Sequence, residues 1–118
     1  MILESPYGSP RKLIVRRNVL YARAAVRDSL LRGEAPIASH LLYTQDGVLD
    51  DTVPDERAMG IAAGLAWRAF AAATVVYIDL GTTPGMQHGI RTALAAGIPV
   101  DYRKIGEGWR SGRWWLPR

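Results

Sequence analysis

The chain has 118 residues, 48% of them hydrophobic and 22% charged, a composition that fits one globular domain and excludes a disordered segment. It contains no cysteine, which excludes a disulfide framework, a thiol nucleophile and a thiolate zinc site; with His40 and His88 as the only imidazoles, neither a metal nor a cofactor is expected. The net charge of +4 is laid out unevenly, with seven basic and two acidic groups in residues 1–33, two and seven in 34–79, and six and two in 80–118, a polarity that suits an anionic small molecule or a partner protein at least as well as nucleic acid.

Met1-Ile2-Leu3-Glu4 lacks the pattern of a secretory signal, so a cytoplasmic protein is expected. The apolar run 58–78 is interrupted by Arg68, which at a bilayer centre costs about 2.5–3.5 kcal/mol that alanines cannot offset. No membrane partner is expected.

In chain order, Met1-Ile2-Leu3 is a short apolar start, followed by the turn-rich Ser5-Pro6-Tyr7-Gly8-Ser9-Pro10. Val15, Val19, Ala22, Val26 and Leu30 recur at helical spacing and predict a helix ended by Gly33. Residues 35–43 are apolar between turn signals and read as a buried strand, and 44–55 as a polar, acidic loop. Pro54, with Asp55 and Glu56 complementing the dipole, opens a second helix to about Ala72, with Met59, Ala63, Ala66 and Phe70 on one stripe. Residues 74–78 form the clearest strand, β-branched and aromatic. After the turn 79–83, Thr83 caps a third helix with Pro84 in its first turn and Gly97 past its end. Residues 99–103 make a last strand. The expected organisation is one α/β domain over residues 1–105 with a Trp/Arg-rich tail over 106–118.

Alternating strands and helices with short connections imply a parallel sheet covered on both faces. Such sheets bind ligands beyond the carboxyl ends of their strands, which singles out the loops 5–9, 43–51 and 79–85. In the last, a strand ending in Asp79 and a glycine turn leading into a helix N-terminus would set an acceptor for sugar hydroxyls beside a seat for phosphate; the same spacing also fits a plain strand-to-helix turn. Gly85 permits close approach of a ligand or of another helix.

Asp79-Leu80-Gly81-Thr82, a following helix, and Ala96-Gly97-Ile98-Pro99-Val100 resemble the nucleoside 2-deoxyribosyltransferase superfamily. Ser5-Pro6-Tyr7 is similar to its first-strand loop, and the stretch from Gly33 to His40 to its second strand; Gly85-Met86 is closer to small phage and bacterial members. The resemblance implies a small flavodoxin-like three-layer sandwich of about four parallel strands. It also implies a pocket for a nucleotide or ADP-ribose-like ligand, drawing on Ser5, Tyr7, Gly8, Ser39, His40, Asp50, Asp79, Gly81, Thr82, Thr83, Gly85 and Met86, with Tyr7 stacking on the base.

One departure separates the chain from those enzymes, whose catalytic Glu stands near the start of that helix. Here it falls on Gly85 or Gly89, depending on alignment, and residues 81–99 contain no Asp or Glu. Neither glycine can form a glycosyl ester. The leading expectation is therefore a protein that holds a nucleotide, as a phage protein sequestering a host nucleotide signal would. The alternative is an N-glycosidic hydrolase or transferase using a relocated carboxylate, Asp79 as base or one from Asp46, Asp50 and Asp51; acidic loops are also ordinary solvated surface. His40 reads as a donor at the ligand edge or as a core histidine.

Gly60-x-x-x-Gly64 on an alanine-rich helix fits intrachain packing or a homo-oligomer interface, the latter being expected. Trp109, Trp114 and Trp115 with Arg110, Arg113 and Arg118 fit single-stranded nucleic acid or a tail folded back on the domain or a neighbour. A nucleic-acid or protein adaptor is the third function class, and nucleic acid is not an expected partner.

Overall fold

Thr74–Tyr77 forms the central strand, β2, and all four of its residues are buried. That is the lot of a parallel strand covered on both faces, and it selects β-branched and aromatic side chains throughout. β1 (Ile2–Glu4) and β3 (Val100–Arg103) flank it in parallel, with Ile2 opposite Thr74, Glu4 opposite Val76 and Val100 opposite Thr74. This computed structural model describes residues 1–110, which also hold four helices: α1 (Lys12–Leu31), α2 (Ser39–Tyr43), α3 (Pro54–Ala66) and α4 (Pro84–Ala95). A 3-10 turn, Trp67–Phe70, continues α3. The fold is mixed α/β.

Strand alternation divides the core between two faces. On one, Leu3, Val75 and Tyr77 pack with Tyr21 and Ala25 of α1. On the other, Val76 meets Met86 and Ile90 of α4, with Ile78 and Val100 beside them. α1 and α4 end in the same way: Gly33 and Gly97 adopt positive φ of 82° and 72°, and the next amide reaches back to Ser29 O and Ala93 O respectively. Only glycine takes that backbone without strain, and the reversal satisfies carbonyls the helix leaves open.

Three expectations need correction. The run 35–43 is no strand: Ile37 alone pairs, bridging Ile2 in parallel, and Ser39–Tyr43 coils into α2. The sheet among the described residues thus has three strands, not four. Periodicity cannot separate a short buried strand from a short helix in an apolar run, and a helix here lets the Thr44 hydroxyl satisfy the His40 carbonyl.

In α1 the buried face includes Asn18, Tyr21, Ala25 and Ser29, while Leu30 is exposed. The expected stripe marks one edge of this face, with Ala22 buried and Val26 against the core; it left out the rest because two polar residues find partners inside, Asn18 Nδ2 donating to Tyr7 O at 2.8 Å and Ser29 Oγ to Glu34 Oε1 at 2.8 Å. In α3 the expected stripe faces out, with Met59 60% and Phe70 86% exposed. Its glycines face in. A Cβ on Gly60 would stand 3.3 Å from Leu49 Cδ1, and one on Gly64 2.6 Å from Ser39 Oγ, so these two glycines serve packing within the chain.

Candidate functional site

The end of β1 opens into a cleft of about 360 Å³ lined also by α2, α3 and the start of α4. After β1 the chain turns through Ser5, Tyr7 and Gly8 along its wall; after β2 it reaches Thr83, Gly85 and Met86 on the opposite side. Thr83 caps α4, its Oγ1 accepting from Met86 N at 3.2 Å, with Pro84 in the first turn. First-turn amides have no acceptor within their own helix, so this end presents positive partial charge where Gly85 lines the cleft.

Ser39 and His40 complete the set of sequence-selected residues in the cleft. Ser5 Oγ and His40 Nε2 lie 3.0 Å apart and share a hydrogen bond, and the Tyr7 ring tilts against the imidazole with centroids 5.5 Å apart. Burial lowers the His40 pKa to about 4, so the ring is neutral at pH 7 and able to donate through one nitrogen and accept through the other. Asp50 lies elsewhere, in an adjoining groove of about 1030 Å³ that shares Tyr7, Gly8, Asp51 and Arg57 with the cleft. Arg57 spans the junction, bonding Asp51 Oδ2 at 2.7 Å. A Cβ on Gly8 would approach Arg57 Nη1 to 2.9 Å, so glycine there lets the guanidinium lie over the turn.

Two lining residues that sequence reasoning passed over form the cleft's charged floor. Arg68, from the 3-10 turn, reaches Glu4 Oε1 at 2.6 Å and also donates to the carbonyl of Gly89 in α4. Both side chains are largely buried, 7% and 17% exposed. Burial raises the Glu4 pKa, and the neighbouring Arg68 offsets this only in part. Gly89 makes the arrangement possible: a Cβ there would stand 2.6 Å from an Arg68 nitrogen and closer still to Glu4 Oε1.

Asp79, Gly81 and Thr82 line neither cavity. The Asp79 carboxylate accepts from Tyr21 Oη at 2.6 Å, Ile105 N at 2.9 Å and Gly106 N at 2.9 Å, and the Tyr21 hydroxyl oxygen accepts from Asp79 N in return. Burial raises the Asp79 pKa, but these bonds together outweigh it and hold the carboxyl below its ordinary range. The same clamp brings the chain after β3 across the α1 face, where Trp109 packs edge-on against Tyr21 at 4.9 Å and Arg110 lies over its ring. Trp114, Trp115, Arg113 and Arg118 lie outside the described residues.

The family described as "Domain of unknown function (DUF7768)" matches residues 1–103. The chain belongs to this family. No curated protein and no solved structure matches it. The DUF7768 span includes every residue that lines the cleft. Among the described residues no group of histidine, aspartate and glutamate is placed to hold a metal, and no helix is long and apolar enough to cross a membrane.

Both floor residues had a signal in the sequence. Arg68 is a lone charge inside an alanine-rich run, and a charge held in apolar surroundings needs a buried partner. Glu4 stands at the carboxyl end of a parallel strand, where ligand-facing side chains collect.

Proposed function

We propose that the cleft holds a nucleotide or a related sugar phosphate such as an ADP-ribose-like compound, and retains it. The carrying observation is convergence: Ser5, Tyr7, Gly8, Ser39, His40, Thr83, Gly85 and Met86, selected from three separate stretches of sequence, line one cavity at the strand ends. In this reading the phosphate sits at the first turn of α4, the base lies against Tyr7, and the adjoining groove takes what a longer ligand carries beyond Arg57. The cavity volume is that of an ordinary small-molecule site. Residence in the cytoplasm and a homo-oligomer joined through the exposed face that runs from Met59 of α3 to Phe70 of the 3-10 turn belong to the same proposal; an unchanged sedimentation coefficient in Phe70→Glu would remove the second.

The flavodoxin-like assignment is likewise our reading. With Ile37 bridging β1, the sheet order becomes Ile37, β1, β2, β3, so the strand order would reverse between β1 and β2, where doubly wound sheets bind ligands. The cleft takes Ile2 and Glu4 from β1, and Thr83, Gly85 and Met86 from the chain that follows β2, which supports this reading.

A second reading, cleavage of an N-glycosidic bond by a relocated carboxylate, is favoured by the position of Glu4, whose carboxylate fills the space a side chain at position 89 would need. One incubation separates the two. The protein is mixed with adenine and guanine nucleotides and ADP-ribose, its thermal unfolding is followed, and the products are analysed by mass spectrometry. Retention predicts a rise in Tm with the ligand recovered intact. Free base would put cleavage first, and no shift at millimolar concentration of any compound would overturn both.

A further inference from the structure

The Glu4–Arg68 pair is more than a buried tie between β1 and α4. Arg68 holds Oε1 of the carboxylate at 2.6 Å, while no described residue donates to Oε2. The pair lines the floor of the cleft and is not hidden behind it. Its charges cancel, so it offers little attraction to a cationic ligand. What remains is an acceptor with spare capacity, suited to a neutral donor such as a hydroxyl.

Placement narrows the donor further. Gly89, against which Glu4 rests, lies four residues along α4 from Gly85, or about 6 Å deeper into the cleft. A ligand with its anionic group at the first turn would thus bring atoms one sugar ring away to Glu4. A side chain at position 89 would push the Glu4 carboxylate and Arg68 out of this place, and glycine lets them occupy it.

We propose that Glu4 is the specificity-determining residue of the cleft: anchored through Oε1 on Arg68, it accepts hydrogen bonds through Oε2 from the ring hydroxyls of a ribose carried by a phosphate-bearing ligand. This rests on the nucleotide reading and assigns its substrate class, ribosyl rather than deoxygenated sugar phosphates. A hydrogen bond to a charged acceptor in a partly desolvated site corresponds to a preference of about tenfold or more.

The test is calorimetric titration of the intact chain with adenosine 5′-monophosphate and with its 2′,3′-dideoxy counterpart. The wild type should prefer the first at least about tenfold. Glu4→Gln, nearly the same shape and still able to accept from Arg68, replaces the charged acceptor by a neutral amide and should narrow that preference. Gly89→Ala keeps both charged residues but displaces the carboxylate, and should lose the same preference; it serves if Glu4→Gln does not fold. Equal binding of the two compounds by the wild type, or an undiminished preference in a folded variant, overturns the assignment of Glu4 while leaving nucleotide binding in place. Binding of neither compound by the wild type overturns the nucleotide reading and this assignment with it.

Discussion

Two carboxylates stand at the carboxyl ends of neighbouring strands and meet opposite fates. Asp79, just past β2, takes three donors and is held below its ordinary pKa range. Glu4, closing β1, takes one donor and is pushed above it by burial. A carboxylate supplied with several hydrogen bonds is stabilised as a charge and fixed in place. One supplied with a single partner keeps unused lone pairs in a site where another donor would be welcome. On the α1 face the carboxylate is thus fully engaged in architecture, and on the α4 face one is left with an unfilled acceptor.

The sharpest way to break this contrast is to remove the partner of the under-supplied group. Arg68→Met fills similar volume but leaves Glu4 buried without a cation, and breaking a buried pair from one side costs about 3–5 kcal/mol. Urea denaturation should show a loss of this order at pH 7. A loss under about 1 kcal/mol would mean that Glu4 is already well hydrated or protonated there, and the cleft floor would need another description.

The matching change on the other face should be smaller and should leave ligand binding alone. Asp79→Asn keeps one acceptor oxygen but turns an NH2 group toward an amide that now donates to Oδ2. About 1–3 kcal/mol should be lost from unfolding stability, with the affinity of the folded variant for any nucleotide the wild type binds unchanged. A large loss of affinity at intact stability would move Asp79 into the site.

These contrasts also mark how far the sequence could be read. The central strand, the Thr83 cap with Pro84, and the stop at Gly97 were legible because each depends on local rules: β-branching, a side chain satisfying an amide, a positive φ. The stretches after β1 and β2 that line the cleft followed from the parallel sheet; the α2 side, Ser39 and His40, followed from the resemblance, and the α3 side did not follow at all. The segment 35–43 and the outward turn of α3 were not legible, because whether an apolar residue is covered depends on what packs over it. The same holds for Asp79 and Glu4. Nothing local distinguishes two acids at two strand ends; the difference comes from Tyr21, 58 residues before Asp79, and Arg68, 64 residues after Glu4.

His40 sharpens the comparison through pH. Its folded pKa of about 4 lies below the ordinary value of 6.5 because burial disfavours the imidazolium. Between those values the unfolded chain binds more protons than the folded one, so stability falls as pH is lowered from about 6.5 to about 4. Glu34 acts below this window: the hydrogen bond from Arg103 lowers its pKa from 4.5 to about 2, so its contribution is lost between those values. His40→Gln can still meet Ser5 but cannot titrate. Denaturant midpoints from pH 7 to 4 should flatten in the variant, and an unchanged slope would mean that water already reaches the ring.

The smallest effect concerns two glycines of one helix. A Cβ on Gly85 would find only Thr83 Oγ1, at 3.9 Å, whereas one on Gly89 would collide with Glu4 and Arg68. Alanine relieves the entropic cost of glycine in a helix, worth at most about 1 kcal/mol and less in the first turn. Gly85→Ala should therefore change stability by no more than about 0.5 kcal/mol, in the direction of a gain on propensity grounds. Its methyl would nevertheless stand at the helix end assigned to phosphate. If nucleotide affinity also stays at the wild-type value, close approach of the ligand to that turn is not required, and the anion must be held from the Arg57 side of the cleft instead.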